Sequence, residues 1–204
     1  MLLPNTYYHI FNHANGFENL FREESNYSFF MRYFYKHLNP IAETYAYCLM
    51  PNHFHMLVRI RTEEELLKQF PRFESIEKLI ESHKLSKYFA NFFSSYTQSF
   101  NKRYKRRGSM FVKTFKRKEI NTQHYLRSII LYIHLNPVHH GFTRDASKWR
   151  WSSMTTFYAK FPDLVDSIWG NETIFMAAHS KKTQKLLFYE LDEEYTLELT
   201  GPVW

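Results

Sequence analysis

The stretch from Ile41 to Ile60 narrows most what this chain can become, because it is rich in Tyr, Thr, Ile and Val and is cut once, by Met50-Pro51-Asn52. β-Branched and aromatic side chains favour extended backbone, and a Pro-Asn step interrupts a ladder. The stretch therefore reads as two strands, Ile41 to Leu49 and His53 to Ile60, folded into a hairpin. A hairpin commits the sheet to antiparallel pairing. Tyr7 to His13 has the same strand content and closes at Asn15-Gly16, and Met110 to Phe115 supplies a fourth strand.

Helical spacing fills the gaps. Asn26 to Leu38 places Phe30, Met31, Phe34 and Leu38 on one side and stops at Asn39-Pro40. Ser75 to Asn101 contains no Gly or Pro and predicts one helix or two, ended by the charged run Lys102 to Gly108. Gln123 to Asn136 repeats Leu126, Ile129, Ile130 and Ile133 at helical spacing and is stopped by Pro137. The order β-α-β-β-α-β-α predicts an α+β fold: a ferredoxin-like antiparallel sheet with helices on one face, plus one more helix.

A chain of 204 residues suits one packed domain with an appendage. Charge marks the division: Lys160 to Trp204 holds four basic and eight acidic residues, while the whole chain is +7, which leaves +11 on residues 1–159. We expect a basic domain over 1–159, suited to a polyanion partner, and an acidic extension over 160–204 that is partly helical around Ile174 to Leu187. No apolar run approaches the roughly 18–20 residues of a membrane span, and Met1 to Thr6 lacks the regions of a signal peptide. Cys48 stands alone, so an internal disulfide and a cysteine-built zinc site are ruled out, and a cytoplasmic protein is the expectation.

Two constellations carry chemistry. His53 and His55 lie two apart on a strand, so both imidazoles point to one face and Phe54 to the other. Two convergent nitrogens make half a metal site. On the last helix, Tyr125, Tyr132 and Asn136 gather on one flank of the apolar stripe, with Tyr132 and Asn136 as i, i+4 neighbours. His134 projects from the opposite flank and is the less favoured ligand.

Pro51-Asn52-His53-Phe54-His55 resembles the HUH motif, two histidines around a hydrophobic residue. Tyr132-Ile133-His134-Leu135-Asn136-Pro137-Val138 resembles the tyrosine-helix signature of REP-associated tyrosine transposases, a branch of the single-tyrosine HUH transposases. Tyr7 to Asn12, Gly108-Ser109-Met110-Phe111 and Trp151-Ser152-Ser153 are similar to the same family, so the resemblance covers about residues 6–158. It implies the HUH endonuclease fold, a divalent metal on His53, His55 and Asn136, and Tyr132 as the nucleophile that forms a covalent 5′-phosphotyrosine. Tyr125, one heptad earlier on the same flank, is the alternative nucleophile. Ligand chemistry alone permits zinc or another transition metal; the resemblance implies magnesium or manganese.

The implied partner is single-stranded DNA with a hairpin, bound by a monomer or a homodimer. Nine of the seventeen residues from Lys102 to Lys118 are Lys or Arg, interleaved with Tyr104, Phe111 and Phe115. Such a run can neutralise phosphates while rings stack on bases, and Arg103, Arg106, Arg107 and Lys113 are the expected backbone contacts.

Overall fold

A computed structural model describes residues 1–112 and 115–179. Its elements are β1 (Tyr7–His13), α1 (Glu24–Leu38), β2 (Ala42–Met50), β3 (His53–Ile60), α2 (Glu63–Gln69), α3 (Ile76–Glu81), α4 (Lys84–Arg103), β4 (Lys116–Ile120), α5 (Gln123–His139), α6 (Phe157–Lys160), α7 (Pro162–Trp169) and α8 (Glu172–Ala178). They divide into two compact units, one of Met1–Tyr45 and Leu49–Ile120, the other of Ala46–Cys48 and the chain from Asn121 onward.

In the first unit the sheet order is β2-β3-β1-β4, with β1 antiparallel to both β3 and β4. The hairpin turn is pinned by backbone bonds: Ala14 N–H donates to Asn52 O at 2.7 Å and Phe21 N–H to Pro51 O at 3.0 Å. One face of the sheet is covered by α1 and α4. Tyr27, Phe30, Met31, Phe34 and Leu38 form the buried stripe of α1, and Phe30 meets Phe54 of β3 at 5.2 Å between ring centroids. From α4, Phe92 and Phe93 close on Phe30 and Phe54 at 4.9 and 5.8 Å. A buried Phe is worth roughly 2 kcal/mol over an exposed one, so these rings hold the unit together and do not serve as a stacking surface.

The expected fourth strand is displaced. Met110 and Phe111 are buried and Phe111 packs on Phe93 and Tyr96, but among the described residues they make only one isolated bridge, Ala14 to Phe111, and the ladder forms at Lys116–Ile120; residues 113 and 114 lie outside the described residues. Apolar content there marks burial; the ladder belongs to a charged edge strand. The 75–101 stretch forms two helices, α3 and α4, broken at Ser82 and His83, where His83 takes φ +54°. Sequence patterning missed α2, although Thr62 and Glu65 cap it reciprocally.

The second unit is built on α5. Thr122 caps it by accepting the Tyr125 N–H, and every residue from Ile129 to Pro137 is buried. The helix runs past Pro137 to His139, contrary to expectation. The ring deletes one backbone donor so near the end that the helix loses one bond, and His140 N–H still reaches Asn136 O at 3.0 Å. Phe157, Trp169 and Phe175 form the aromatic core around α6, α7 and α8. Of the helix expected around 174–187, Ile174 to Ala178 lie in α8, and residues 180–187 lie outside the described residues. Among the described residues no helix is long and apolar enough to cross a membrane.

Candidate functional site

Strand register brings the sheet histidines together. Across the β1–β3 ladder His13 faces His53, and Phe11 faces His55. Since side chains alternate, His9, Phe11 and His13 share one face with His53 and His55, and Phe54 takes the opposite face against α1 and α4. On β4, Lys118 opposite His9 and Lys116 opposite Phe11 point to the histidine face as well.

Hydrogen bonds fix how these imidazoles carry their protons. His53 Nδ1 lies 2.8 Å from Asn52 Oδ1, an oxygen that only accepts, so Nδ1 donates and the lone pair is on Nε2. His13 is set the same way by Ala14 O at 2.7 Å and stacks on His53 at 5.8 Å with an interplanar angle of 6°. His55 Nδ1 meets His9 Nε2 at 3.0 Å, with the two rings stacked at 5.1 Å. His9 is fully buried, and desolvation followed by the charge of Lys118 brings its pKa down to about 3, so it is neutral at physiological pH.

In the second unit, Tyr132 and Asn136 are both buried on α5, four residues apart and so about 40° around the axis from one another. His134 lies on the other flank and is fully committed. Its Nε2 is 2.9 Å from Ser153 Oγ, its Nδ1 is 3.1 Å from His179 Nε2, and His179 Nδ1 is 2.8 Å from Phe175 O. The carbonyl oxygen must accept, so the protons run in one direction: Ser153 O–H to His134 Nε2, His134 Nδ1–H to His179 Nε2, and His179 Nδ1–H to Phe175 O. Burial pushes His134 well below its ordinary pKa and His179 down to about 4, which keeps both neutral. With both nitrogens bonded to protein, His134 is a structural histidine.

The expected DNA contacts divide. Arg103 is exposed, pairs with Glu23 at 2.7 Å and borders a cavity of about 280 Å³ between α1 and α4 that Arg32, Phe29 and Phe100 also line. Arg107 is exposed. Arg106 departs from expectation: its guanidinium is bonded to Glu18, to Asn101 Oδ1 at 2.8 Å, to Gly108 O at 3.1 Å and to Ser109 O at 2.7 Å, so it holds the loop after α4. Lys113 lies outside the described residues.

Sequence reading did not single out His9, His13, Lys116 or Lys118. The i, i+4 spacing of His9 and His13 in a strand was a visible signal that they share a face. Only the register shows that this is the face of His53 and His55.

No family model and no curated protein matches this chain. Its fold does match a solved structure, that of a REP-associated tyrosine transposase bound to a REP hairpin, with a TM-score of 0.58 and 17% sequence identity over 78% of this chain and 83% of that one. The four-stranded antiparallel sheet with its helices is thus shared with that protein.

Proposed function

We propose that this chain is a single-tyrosine HUH transposase of the REP-associated kind, an enzyme that cuts and rejoins single-stranded DNA beside hairpins through a covalent 5′-phosphotyrosine. The observation that supports it most is the shared fold with a transposase solved on hairpin DNA, in a chain whose two HUH-type histidines share one sheet face.

The residues suit a divalent ion. His53 holds its lone pair on Nε2, the tautomer that ligation needs, and its Nδ1–H is bonded as ligating histidines usually are. The third donor in this reading is the Asn136 amide oxygen, as the family resemblance implies; among the described residues no three His, Cys, Asp or Glu side chains gather for a metal. A hard oxygen beside two imidazoles is compatible with Mg²⁺ or Mn²⁺. When bound, such an ion supplies Lewis-acid polarisation of the scissile phosphate.

Tyr132 is the nucleophile in this reading. Its oxygen bonds to phosphorus, the phenolic proton passes to solvent, the bond from phosphorus to the 3′ oxygen breaks, and that oxygen leaves and is protonated. One phosphodiester replaces another, so the reverse reaction rejoins strands without a nucleotide cofactor. Substrate phosphates meet Arg103, Arg107 and Lys113, with Lys116 and Lys118 adding charge on the histidine face. Phe17, which is 85% exposed just beyond β1, offers a ring for an unpaired base.

Incubation with hairpin-bearing single-stranded DNA and Mn²⁺ is expected to give a denaturation-resistant protein–DNA adduct that Tyr132→Phe abolishes. Binding without cleavage would make the chain a non-catalytic DNA-binding protein of this fold. Cleavage that survives Tyr132→Phe would make it a nuclease that uses water.

A further inference from the structure

We propose that His9 is the positioning residue for His55: it accepts the His55 Nδ1–H and thereby holds His55 in the tautomer that presents Nε2 to a divalent ion. The inference rests on the metal reading above and assigns a task to a residue outside the ligand set.

The geometry is specific. His9 Nε2 and His55 Nδ1 are 3.0 Å apart, a hydrogen-bond distance, and exactly one proton must lie between them. If His9 donates, a neutral His55 carries its own proton on Nε2 and can no longer ligate through either nitrogen. If His55 donates, its Nε2 holds the lone pair. Only the second direction is compatible with ligation, and it places the His9 proton on Nδ1.

Packing supports a fixed pair. His9 is 0% and His55 is 2% exposed, so neither ring exchanges its partner for bulk water. Phe11, beside both on the same face, stacks on His9 at 4.7 Å and on His55 at 5.9 Å, which limits the rotation of both rings. His53 obtains the same tautomer from Asn52, its neighbour in the turn. His55 lies inside the ladder, and the partner that the structure gives its Nδ1 comes from the neighbouring strand. The two histidines are thus prepared by different means, one by a turn residue and one by a cross-strand imidazole.

The test has two parts. Long-range ¹H–¹⁵N correlation spectra of the metal-free wild-type protein should show His55 protonated on Nδ1; a His55 protonated on Nε2 would overturn the assignment, whether or not any variant folds. Mn²⁺ affinity, measured by electron paramagnetic resonance, should then fall about 10- to 100-fold in His9→Leu and largely recover in His9→Gln, whose amide oxygen can take the place of Nε2. Unchanged affinity in a folded His9→Leu would also overturn it. Failure of the metal reading has a different signature, Mn²⁺ affinity that is indifferent to His53→Ala and His55→Ala, and the wild-type spectrum decides the His9 question separately.

Discussion

Two histidine clusters lie buried in this protein, and they use the same side chain differently. On the sheet, His53 gives its Nδ1 proton to the adjacent Asn52, and His55 shares a proton with His9 across the ladder. On α5, His134 has both nitrogens bonded within a chain from Ser153 to His179 that terminates on the Phe175 carbonyl. The difference lies in where the second nitrogen goes. A histidine with protein partners on both nitrogens ties elements together, as His134 does, and in the reading proposed above a neighbour at Nδ1 sets His53 and His55 up to ligate.

The largest expected effects separate the clusters. His53→Ala or His55→Ala should reduce Mn²⁺-dependent adduct formation by at least about 100-fold, the scale of losing a Lewis acid, while urea unfolding shows only a modest change. His134→Ala should do the reverse, costing about 2–4 kcal/mol through a cavity and two stranded partners, with Mn²⁺ affinity retained in the folded fraction. If His134→Ala abolishes Mn²⁺ binding in folded protein while His53→Ala does not, the roles given to the clusters are exchanged.

How far this contrast could be read beforehand depends on which physical signal each residue leaves. The α5 flanks follow from 100° per residue, so the placing of His134 opposite Tyr132 and Asn136 was legible. The β1, β2 and β3 strands and the helices α1 and α5 were legible from periodicity and punctuation, with ends shifted by up to three residues. β4 was not, since Lys116–Ile120 is an edge strand and carries the charges that discourage further pairing, a pattern that looks like a loop. The part played by His9 depends on a register between residues 46 apart, which no local pattern encodes. Arg106 was misplaced because a count of basic residues cannot show that a guanidinium is already taken up by carbonyls of its own loop.

Acid should act on the helix cluster. In the unfolded chain histidine titrates near 6.5, whereas His179 in the folded chain is held to about 4 and His134 is also held low. Between these values the unfolded chain binds more protons, so the stability from the neutral pair is fully present above about pH 6.5 and is lost as pH falls toward 4. The slope is at most about 1.4 kcal/mol per pH unit for each histidine. Urea midpoints of His179→Phe should fall less steeply over that window than those of the wild type. Parallel slopes would show that the pair does not govern acid unfolding.

The smallest change probes the end of the same chain. Ser153 Oγ accepts the Tyr47 N–H at 2.9 Å and donates to His134 Nε2, while the Ser153 backbone N–H bonds Tyr47 O at 3.0 Å. Ser153→Ala removes only the hydroxyl and leaves one buried donor and one buried acceptor to find other partners, at a cost of roughly 1–2 kcal/mol in urea unfolding. The backbone bond remains, so the segment stays in place and the effect is smaller than that of His134→Ala. Combining the two substitutions sharpens the comparison. With His134 gone, the Ser153 hydroxyl has lost the acceptor it served, so the double variant should be less destabilised than the sum of the single ones. Strict additivity would mean that Ser153 acts through Tyr47 alone, and that the helix cluster ends at His134.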